Sequence, residues 1–236
     1  MRAGRIGALL VLAALLLGGP VRAEGYFAGV DLSMGLAGGT SSTTNGGAAF
    51  AGGGTVYDLR FGQSFSVGGH VGYRFDPAFS VSLSYEHIRT AVSWNVDYPL
   101  VPGDSAFRGV AASNLLMGNA AYTHALTETT AIELRGGLGL AINTLSDVVE
   151  SQIPTGTFLA DLTQGTRFSP AAQRGIGLSQ QLAPNVRLAL GTSATYIGGF
   201  ATGNTRTGNL GVTAITPYEI DHVWRANVGA TLRIDF

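Results

Sequence analysis

The sequence predicts an all-β chain that forms a transmembrane antiparallel up-and-down β-barrel of eight strands. Apolar and polar residues alternate with a period of two over segments far longer than an ordinary strand, which indicates sheets with two unlike faces. Only 12% of the residues are charged, a low fraction for a surface that faces water. The segments are joined by connections that are alternately long and short, as in barrels that cross a bilayer.

Residues 1–23 are predicted to be a secretory signal peptide. Two arginines precede the apolar run Ile6–Leu17, and small residues follow it, a pattern typical of a cleaved export signal. The run is shorter than the roughly twenty residues that a transmembrane helix requires. Val21 and Ala23 suit the minus-three and minus-one positions of a cleavage site, so the barrel domain is predicted to be 24–236.

Composition excludes several classes of protein. The sequence contains no cysteine, so disulfides do not hold the fold together. All fourteen basic residues are arginine, and without the three in the predicted signal peptide eleven face fifteen acids, a net charge near −4. That balance argues against a nucleic-acid-binding surface. The 35 glycines disfavour helices, whereas bent barrel strands around a narrow lumen accommodate them.

The first three strands are predicted from their alternation. From Tyr26 to Leu36 every second residue is apolar, and small or polar residues fill all but one of the positions between them. The second strand, Thr55–Phe75, carries aromatic and aliphatic residues on one face and charged, serine and histidine residues on the other. The third strand, Phe79–His87, alternates apolar residues with three serines and Glu86.

The middle strands alternate less regularly. The fourth, Gly109–Leu126, contains three consecutive large apolar residues, and its predicted outward residues are Leu116, Ala120, Tyr122 and Leu126. The fifth, Ile132–Asn143, places isoleucine and leucine opposite glycine and charged residues. The sixth, Pro170–Leu182, is the weakest, because Arg174 falls on the same face as Ile176 and Leu178.

The last two strands alternate most clearly. In Val186–Tyr196, aliphatic residues oppose Arg187 and small residues. From Tyr218 to Phe236 every second residue is apolar or aromatic except His222, and we predict that this face contacts lipid. The positions between them carry five charges and are predicted to face the lumen.

The connections predict the orientation. The long ones are predicted to be irregular loops and the short ones tight turns. The loops are Ala37–Gly54, Arg89–Arg108, Thr144–Ser169 and Gly198–Pro217; the turns are Asp76–Ala78, Thr127–Thr130 and Ala183–Asn185. Barrels of this kind have short periplasmic turns, so with both termini in the periplasm all four long loops lie outside the cell.

Eight strands enclose an interior just wide enough to be filled by side chains, and buried charges need partners. The sequence therefore predicts a lumen plugged by ion pairs among Asp31, Arg60, Glu86, Glu133, Arg135, Arg187, Asp221 and Arg225. Aromatic residues near strand ends are typical of membrane interfaces. The predicted interfacial aromatics are Tyr26, Tyr57, Tyr73, Phe79, Tyr122, Tyr196, Tyr218 and Trp224.

Several residues resemble a known family. Asn119, Ala121 and Tyr122, the glycine-rich stretch Gly136–Gly139, and the terminal Phe236 are similar to the eight-stranded outer-membrane barrels of the OmpA-like and opacity-type surface proteins, within the small barrels of the porin family. The resemblance implies location in the outer membrane of a Gram-negative bacterium, contact with its lipids and lipopolysaccharide, and recognition of Phe236 by the barrel-insertion machinery. OmpA itself carries a periplasmic peptidoglycan-binding domain after its barrel, and we do not expect that anchoring role to transfer to this chain.

The resulting functional expectation is a structural or surface-interaction role, in which the loops contact a host or cell-surface ligand. The first alternative is a narrow channel for small or hydrophobic solutes, as in the OmpW-like barrels that the chain also resembles. The second is a lipid A-modifying enzyme using His87 or His222 with Asp221. The sequence predicts no catalytic, cofactor or metal site, and no nucleic-acid partner.

Overall fold

A computed structural model describes residues 24–41, 44–45, 54–98, 103–209 and 211–236. The predicted signal peptide lies outside the described residues. Among the residues that the structure describes, no helix is long and apolar enough to span a bilayer.

The described chain forms thirteen strands. The first seven are β1 (Gly25–Thr40), β2 (Thr44–Asn45), β3 (Gly54–Phe61), β4 (Gln63–Arg74), β5 (Phe79–Asp97), β6 (Ser105–Ala125) and β7 (Thr130–Gln152). The remaining six are β8 (Phe158–Leu162), β9 (Gly165–Ala183), β10 (Val186–Ala201), β11 (Thr205–Gly208), β12 (Gly211–Ala214) and β13 (Glu219–Asp235).

Eight of these strands close into a ring. In ring order they are β1, β4, β5, β6, β7, β9, β10 and β13, and every neighbouring pair is antiparallel. Pairing of β13 with β1 completes the ring, because Phe27 lies opposite Asp235 and Trp224 opposite Gly38. The prediction of an eight-stranded antiparallel up-and-down barrel is therefore confirmed.

The stagger of the ring follows from its register. From Met34 in β1, the chain of paired residues through β4, β5 and β6 reaches β7 at Thr144. The chain of paired residues through β13, β10 and β9 reaches β7 at Leu134. The two positions are ten residues apart, so the barrel has a shear of ten and its strands tilt by about 40°.

The outer face of the ring is apolar, as a lipid-facing surface requires. Large apolar side chains are exposed at alternate positions on all eight ring strands, among them Leu36, Val67, Leu83, Leu116, Leu138, Ile176, Leu190 and Val228. In β6 the outward assignment of Leu116, Ala120, Tyr122 and Leu126 is confirmed, and Leu115 and Met117 lie buried inside.

The three short turns are present where they were predicted, and side chains close two of them. The Asp76 carboxylate accepts hydrogen bonds from the backbone N–H groups of Ala78 and Phe79, at 2.7 and 2.8 Å. The Thr127 hydroxyl accepts from the backbone of Thr130 at 3.0 Å. These local bonds satisfy backbone donors at the strand ends and fix the hairpin registers.

The predicted irregular loops are largely wrong. β5 continues to Asp97 and β6 begins at Ser105, so most of Arg89–Arg108 is strand; β7 to β9 fill most of Thr144–Ser169. β10, β11 and β12 occupy most of the described part of Gly198–Pro217. Most of Ala37–Gly54 lies outside the described residues. The strands thus continue beyond the ring, at the end of the barrel predicted to be extracellular. We call this part the extracellular extension; cross-strand hydrogen bonds satisfy its backbone.

Irregular positions explain the missed extensions. Asp58, Asp147 and His222 have positive φ angles of 53°, 53° and 52°, which are unusual for residues other than glycine. The pairing register shifts near each of them. Such an irregularity exchanges the two faces of a strand, so alternation read across it fails.

The largest consequence is in the terminal strand. On the N-terminal side of His222 the two faces of the strand exchange, so Tyr218 and Ile220 are buried inside, at 3% and 2% exposure. Their predicted outward orientation, and the assignment of Tyr218 as an interfacial aromatic, are therefore wrong. From Trp224 to Leu232 the alternation follows the prediction, whereas Ile234, on the face predicted to contact lipid, is buried at 6% exposure.

Candidate functional site

The lumen begins, at the short-turn end, with a cluster of guanidinium groups around one carboxylate. Arg74 donates a hydrogen bond to Asp235 at 2.6 Å. Arg187 and Arg233 form ion pairs with the same carboxylate at 3.4 and 3.3 Å. Arg233 also lies 3.5 Å from Glu133, the next acid along the lumen. Three cations and two carboxylates therefore fill this end of the barrel.

A second layer of polar contacts lies further inward. Glu133 accepts a hydrogen bond from Arg135 at 3.0 Å. Asp31 contacts the Nδ1 atom of His70 at 2.7 Å, and its other carboxylate oxygen accepts a hydrogen bond from the Thr231 hydroxyl. Since Thr231 bonds the carboxylate and not the imidazole, this group lacks the geometry that activates a hydroxyl nucleophile.

Arg225 forms the third layer. Its side chain is fully buried and donates to Glu86 at 2.9 Å. It also donates to three serine hydroxyls, those of Ser64 and Ser33 at 2.8 Å and of Ser66 at 3.2 Å. Every nitrogen of this guanidinium is hydrogen-bonded, which is the condition under which a buried charge is tolerated.

The polar lumen contains little free space. A cavity of about 100 Å³ lies among Asp31, Glu86, Glu133 and Arg135, against a wall of small residues that includes Gly191. A second cavity of about 20 Å³ lies beside His70 and Arg187. These volumes accommodate a few water molecules.

The end of the interior opposite the short turns is apolar, a feature that the alternation of the sequence did not predict. Trp94 and Phe107 stack with ring centroids 5.3 Å apart and nearly parallel planes. Tyr218 packs on Phe107 at 4.9 Å. Buried aliphatic and aromatic residues complete this layer, among them Ile88, Val92, Leu115, Leu145, Val148, Phe200, Ile220 and Val223. We call these residues, with Trp94, Phe107 and Tyr218, the apolar cap.

Two polar contacts are buried at the cap. The Tyr98 and Tyr218 hydroxyls lie 2.8 Å apart. Burial raises the pKa of Tyr98 to about 12, and burial together with the neighbouring Tyr98 raises the pKa of Tyr218 well above its usual range. Glu150 accepts from Arg206 at 2.7 Å, with both side chains almost fully buried. Both lie in stretches predicted as loops, so alternation gave no signal for this ion pair.

The predicted ion-pair residues divide into groups. The structure places Asp31, Glu86, Glu133, Arg135, Arg187 and Arg225 inside the ring with the partners described above. Asp221 instead pairs with Arg167 at 2.9 Å, nearer the extracellular end. Arg60 is wrongly predicted, because its side chain is 73% exposed and pairs with Asp58 beyond the ring.

Four further lumen residues lie on the face that the sequence predicts to point inward. His70, Arg74, Arg233 and Asp235 all occupy inward positions of alternating strands, so the alternation itself places them in the lumen. Their pairing depends on cross-strand register, which the sequence does not give. Arg167 lay within a predicted loop.

Two of the residues considered for catalysis have other partners in the described part of the chain. His87 contacts the amide oxygen of Asn114 at 2.9 Å, and Asp221 is bonded to Arg167. These two contacts do not support the predicted enzymatic pairing of His87 or His222 with Asp221. Among the described residues no group of three potential ligands is placed to hold a metal ion.

Six of the predicted interfacial aromatics lie at the two ends of the outer face of the ring. Tyr26, Phe79 and Tyr122 are exposed near the short turns, where Tyr26 packs edge-on against Tyr73 at 5.1 Å. At the other end Trp224 is 52% exposed and packs against the half-buried Tyr196 at 5.1 Å. Tyr57 is exposed on β3, in the extracellular extension. The backbone N–H of Phe236 donates to Tyr26, which fastens the chain end to β1.

Comparison with known proteins shows similarity of fold and no similarity to a known sequence family. No protein-family model matches the chain, and no curated protein matches it. Among solved structures, the outer-membrane protein OprG from Pseudomonas aeruginosa is 14% identical, with a TM-score of 0.51 over 92% of this chain and 98% of that one. Neisserial surface protein A is 16% identical, with a TM-score of 0.48 over 91% of this chain and 100% of that one. The similarity to OprG shows the fold of a small outer-membrane β-barrel.

Proposed function

We propose that the chain is exported to the outer membrane of a Gram-negative bacterium, where its barrel anchors a rigid extracellular extension that contacts molecules outside the cell. In this proposal the lumen conducts no solute. The observation that carries it is the filled interior. The fully buried Arg225 and its partners lie below the apolar cap, so two successive layers of side chains occupy the interior, which supports a closed path along the barrel axis.

The extension supports a contact role. β8, β11 and β12 continue the sheet beside β7, and no described strand pairs with the outer edge of β12. Val212 on β12 is 73% exposed and Phe158 on β8 is 51% exposed. Free sheet edges and exposed apolar side chains on a water-facing part of a protein are typical of binding surfaces.

Single-channel recording in a planar bilayer tests the closed lumen. We expect the purified protein to insert and to give no conductance steps. Steady, reproducible steps would instead support the narrow channel, for which the cavity of about 100 Å³ beside Glu86 and Glu133 is the favouring observation.

Adhesion of whole cells tests the contact role. A non-adherent bacterial host that expresses the protein is expected to bind cultured epithelial monolayers. Combined Val212→Asp and Phe158→Asp substitutions are expected to reduce this binding several-fold at equal surface amount. Glu128→Lys, in an exposed turn at the opposite end of the barrel, is the control and should change nothing. Absence of binding by the unsubstituted protein, or unchanged binding by the double variant, contradicts the proposal.

Phe236 is proposed as the signal for the barrel-insertion machinery. Its ring is 39% exposed, and its backbone rather than its side chain bonds to β1. Phe236→Ala is therefore expected to lower the amount of protein in the outer membrane of living cells. Spontaneous folding of the purified variant into vesicles should remain unchanged, and an equal loss in both assays would indicate a purely structural role.

A further inference from the structure

Arg174 is a charged residue on the lipid-facing side of the barrel. On β9 it shares the outer face with Ile176 and Leu178, which are 52% and 51% exposed, whereas Gln173 and Gly175 line the cavity of the lumen. In the described part of the chain no carboxylate pairs with Arg174, and no hydrogen bond to its side chain is present. This position is the one that made β9 the weakest strand in the sequence.

The depth of Arg174 in the membrane follows from the register. Leu36 lies ten residues beyond Tyr26 on β1, and three ladder steps lead from Leu36 through Ala226 and Ala194 to Arg174. At a tilt of about 40°, each residue along β1 adds about 2.5 Å of height above Tyr26. Each step from a strand to its paired neighbour, going from β1 through β13 and β10 to β9, lowers the height by about 3 Å. Arg174 therefore lies about 15 Å above Tyr26, roughly halfway up an apolar band about 25 Å tall. An unpaired arginine is costly at that depth.

An open groove lies beside Arg174 on the same outer face. Its volume is about 820 Å³, and it runs across β9, β10, β13 and β1, with β4 at its far side. Ala194 and Ala226 form a low floor between the larger walls Leu36 and Ile176. Gln63 adds an amide at the far wall, and its side-chain nitrogen points at the Met34 sulfur at 3.6 Å. The groove thus has an apolar surface with the Arg174 cation on one side and the Gln63 amide on the other.

We propose that this groove binds one phosphate-bearing lipid, with an acyl chain on the alanine floor and the anionic head group reached by Arg174. A guanidinium recognises phosphate through paired hydrogen bonds, and its flexible stem can extend along the surface toward the head-group region. Charge complementarity favours an anionic lipid over a zwitterionic one. The site is independent of the proposed role of the extracellular extension.

Tryptophan fluorescence provides a local reporter. The chain contains two tryptophans, of which Trp94 is buried in the apolar cap. Trp224 is exposed on the outer face, two residues from Ala226 in the groove. Brominated acyl chains quench tryptophan on contact, so a brominated lipid held in the groove quenches Trp224.

The experiment compares two vesicle preparations of equal composition, one part phosphatidylglycerol to four parts phosphatidylcholine. In the first, the phosphatidylglycerol is brominated; in the second, the same mole fraction of phosphatidylcholine is brominated. We expect quenching at least about twofold stronger in the first preparation. Arg174→Gln should abolish the difference in quenching between the two preparations. Arg174→Lys should retain part of this difference, because lysine keeps the positive charge but lacks the planar guanidinium that bonds phosphate through two N–H groups.

Arg89→Gln is the matched control, because Arg89 is also exposed on the outer face but lies on β5, away from the groove. The control should keep the full difference. Equal quenching by the two lipids in the unsubstituted protein, or an undiminished difference in Arg174→Gln, overturns the proposal. An Arg174-dependent dimer seen by mass photometry in neutral detergent would also overturn it, because the occupant would then be a second copy of the chain.

Discussion

Arg225 donates a hydrogen bond to Glu86 at 2.9 Å across the lumen, joining β13 to β5 over 139 residues of sequence. The two strands are separated in the ring by β1 and β4, so the contact braces the barrel through its interior. Its energetic value depends on both partners being present, because either charge alone is left without a counterion.

Glu86→Gln is expected to destabilise the barrel by about 3 kcal/mol, because the fully buried Arg225 loses its counterion. Arg225→Gln should cost a similar amount. The double substitution should cost less than the sum of the two, since no unpaired charge remains. Urea unfolding in detergent micelles measures these free energies, and strict additivity would show that the two side chains do not interact.

Phe107→Ala is expected to destabilise the extension by about 3–5 kcal/mol, because the phenyl ring is buried, stacks on Trp94 and packs against the tilted ring of Tyr218. Protease cleavage of the extracellular part of reconstituted protein should become faster, while the membrane ring stays intact. Phe158→Ala removes the same ring from a site that is 51% exposed and serves as the control. Equal cleavage rates for the two variants would contradict the cap as described.

The cap is expected to loosen at alkaline pH. The pKa of Tyr98 is raised to about 12 from an ordinary value of about 10, so the fold favours its protonated form. That stabilisation is complete below pH 10 and is lost as the pH rises through 12, at up to about 1.4 kcal/mol per pH unit. The tyrosinate absorbance near 295 nm and the protease cleavage rate should rise together in this window.

The combined Tyr98→Phe and Tyr218→Phe variant removes both hydroxyls, so neither is left unpaired. Its cap should keep the same protease resistance from pH 9 to 12. Alkaline loosening that persists in this variant would assign the effect to another group.

Gly29→Ala is expected to destabilise the barrel by about 1–3 kcal/mol through overpacking. A β-carbon there would lie 2.5 Å from the His70 ring and 2.9 Å from the Leu232 carbonyl oxygen. His70 cannot withdraw freely, because its Nδ1 atom is held at 2.7 Å from Asp31. Gly136→Ala is the control, since a β-carbon at Gly136 meets only open space, and its unfolding free energy should be unchanged or slightly higher. Equal effects at both positions would show that side-chain crowding in the lumen is not the cause.

Cysteine labelling tests the orientation of the barrel. The native sequence has no cysteine, so a single introduced thiol is the sole target. Val212→Cys, 73% exposed in the extension, should react with a membrane-impermeant maleimide on intact cells. Glu128→Cys, in an exposed short turn, should react only after lysis. The reverse labelling pattern would show that the barrel has the opposite orientation in the membrane.

The ring was predictable because lipid on one side and a filled lumen on the other impose a strict period of two. That pattern places Arg225 inside and Val228 outside from sequence alone. It does not reveal that Arg225 meets Glu86, since pairing depends on a ten-residue shear that no single strand encodes.

The apolar cap was not predictable for a different reason. At Asp58, Asp147 and His222 the backbone takes a left-handed conformation, and the faces exchange beyond it. Tyr218 therefore resembles an outward aromatic in the sequence and lies inside in the structure. Beyond the membrane both faces of a strand can be partly polar, so the extension carries a weaker alternation than the ring.

The seam between β1 and β13 has a consequence for biogenesis. The barrel is closed by the pairing of β1 with β13, so it cannot be completed strand by strand. Until β13 pairs with β1, the growing sheet has two open edges with unpaired backbone N–H and C=O groups. Open sheet edges are energetically too costly in the hydrocarbon core, because no water is present to bond their backbone groups. Closure of the barrel in the hydrocarbon core therefore requires β13 to be available for pairing with β1, so almost the whole polypeptide must be synthesised first.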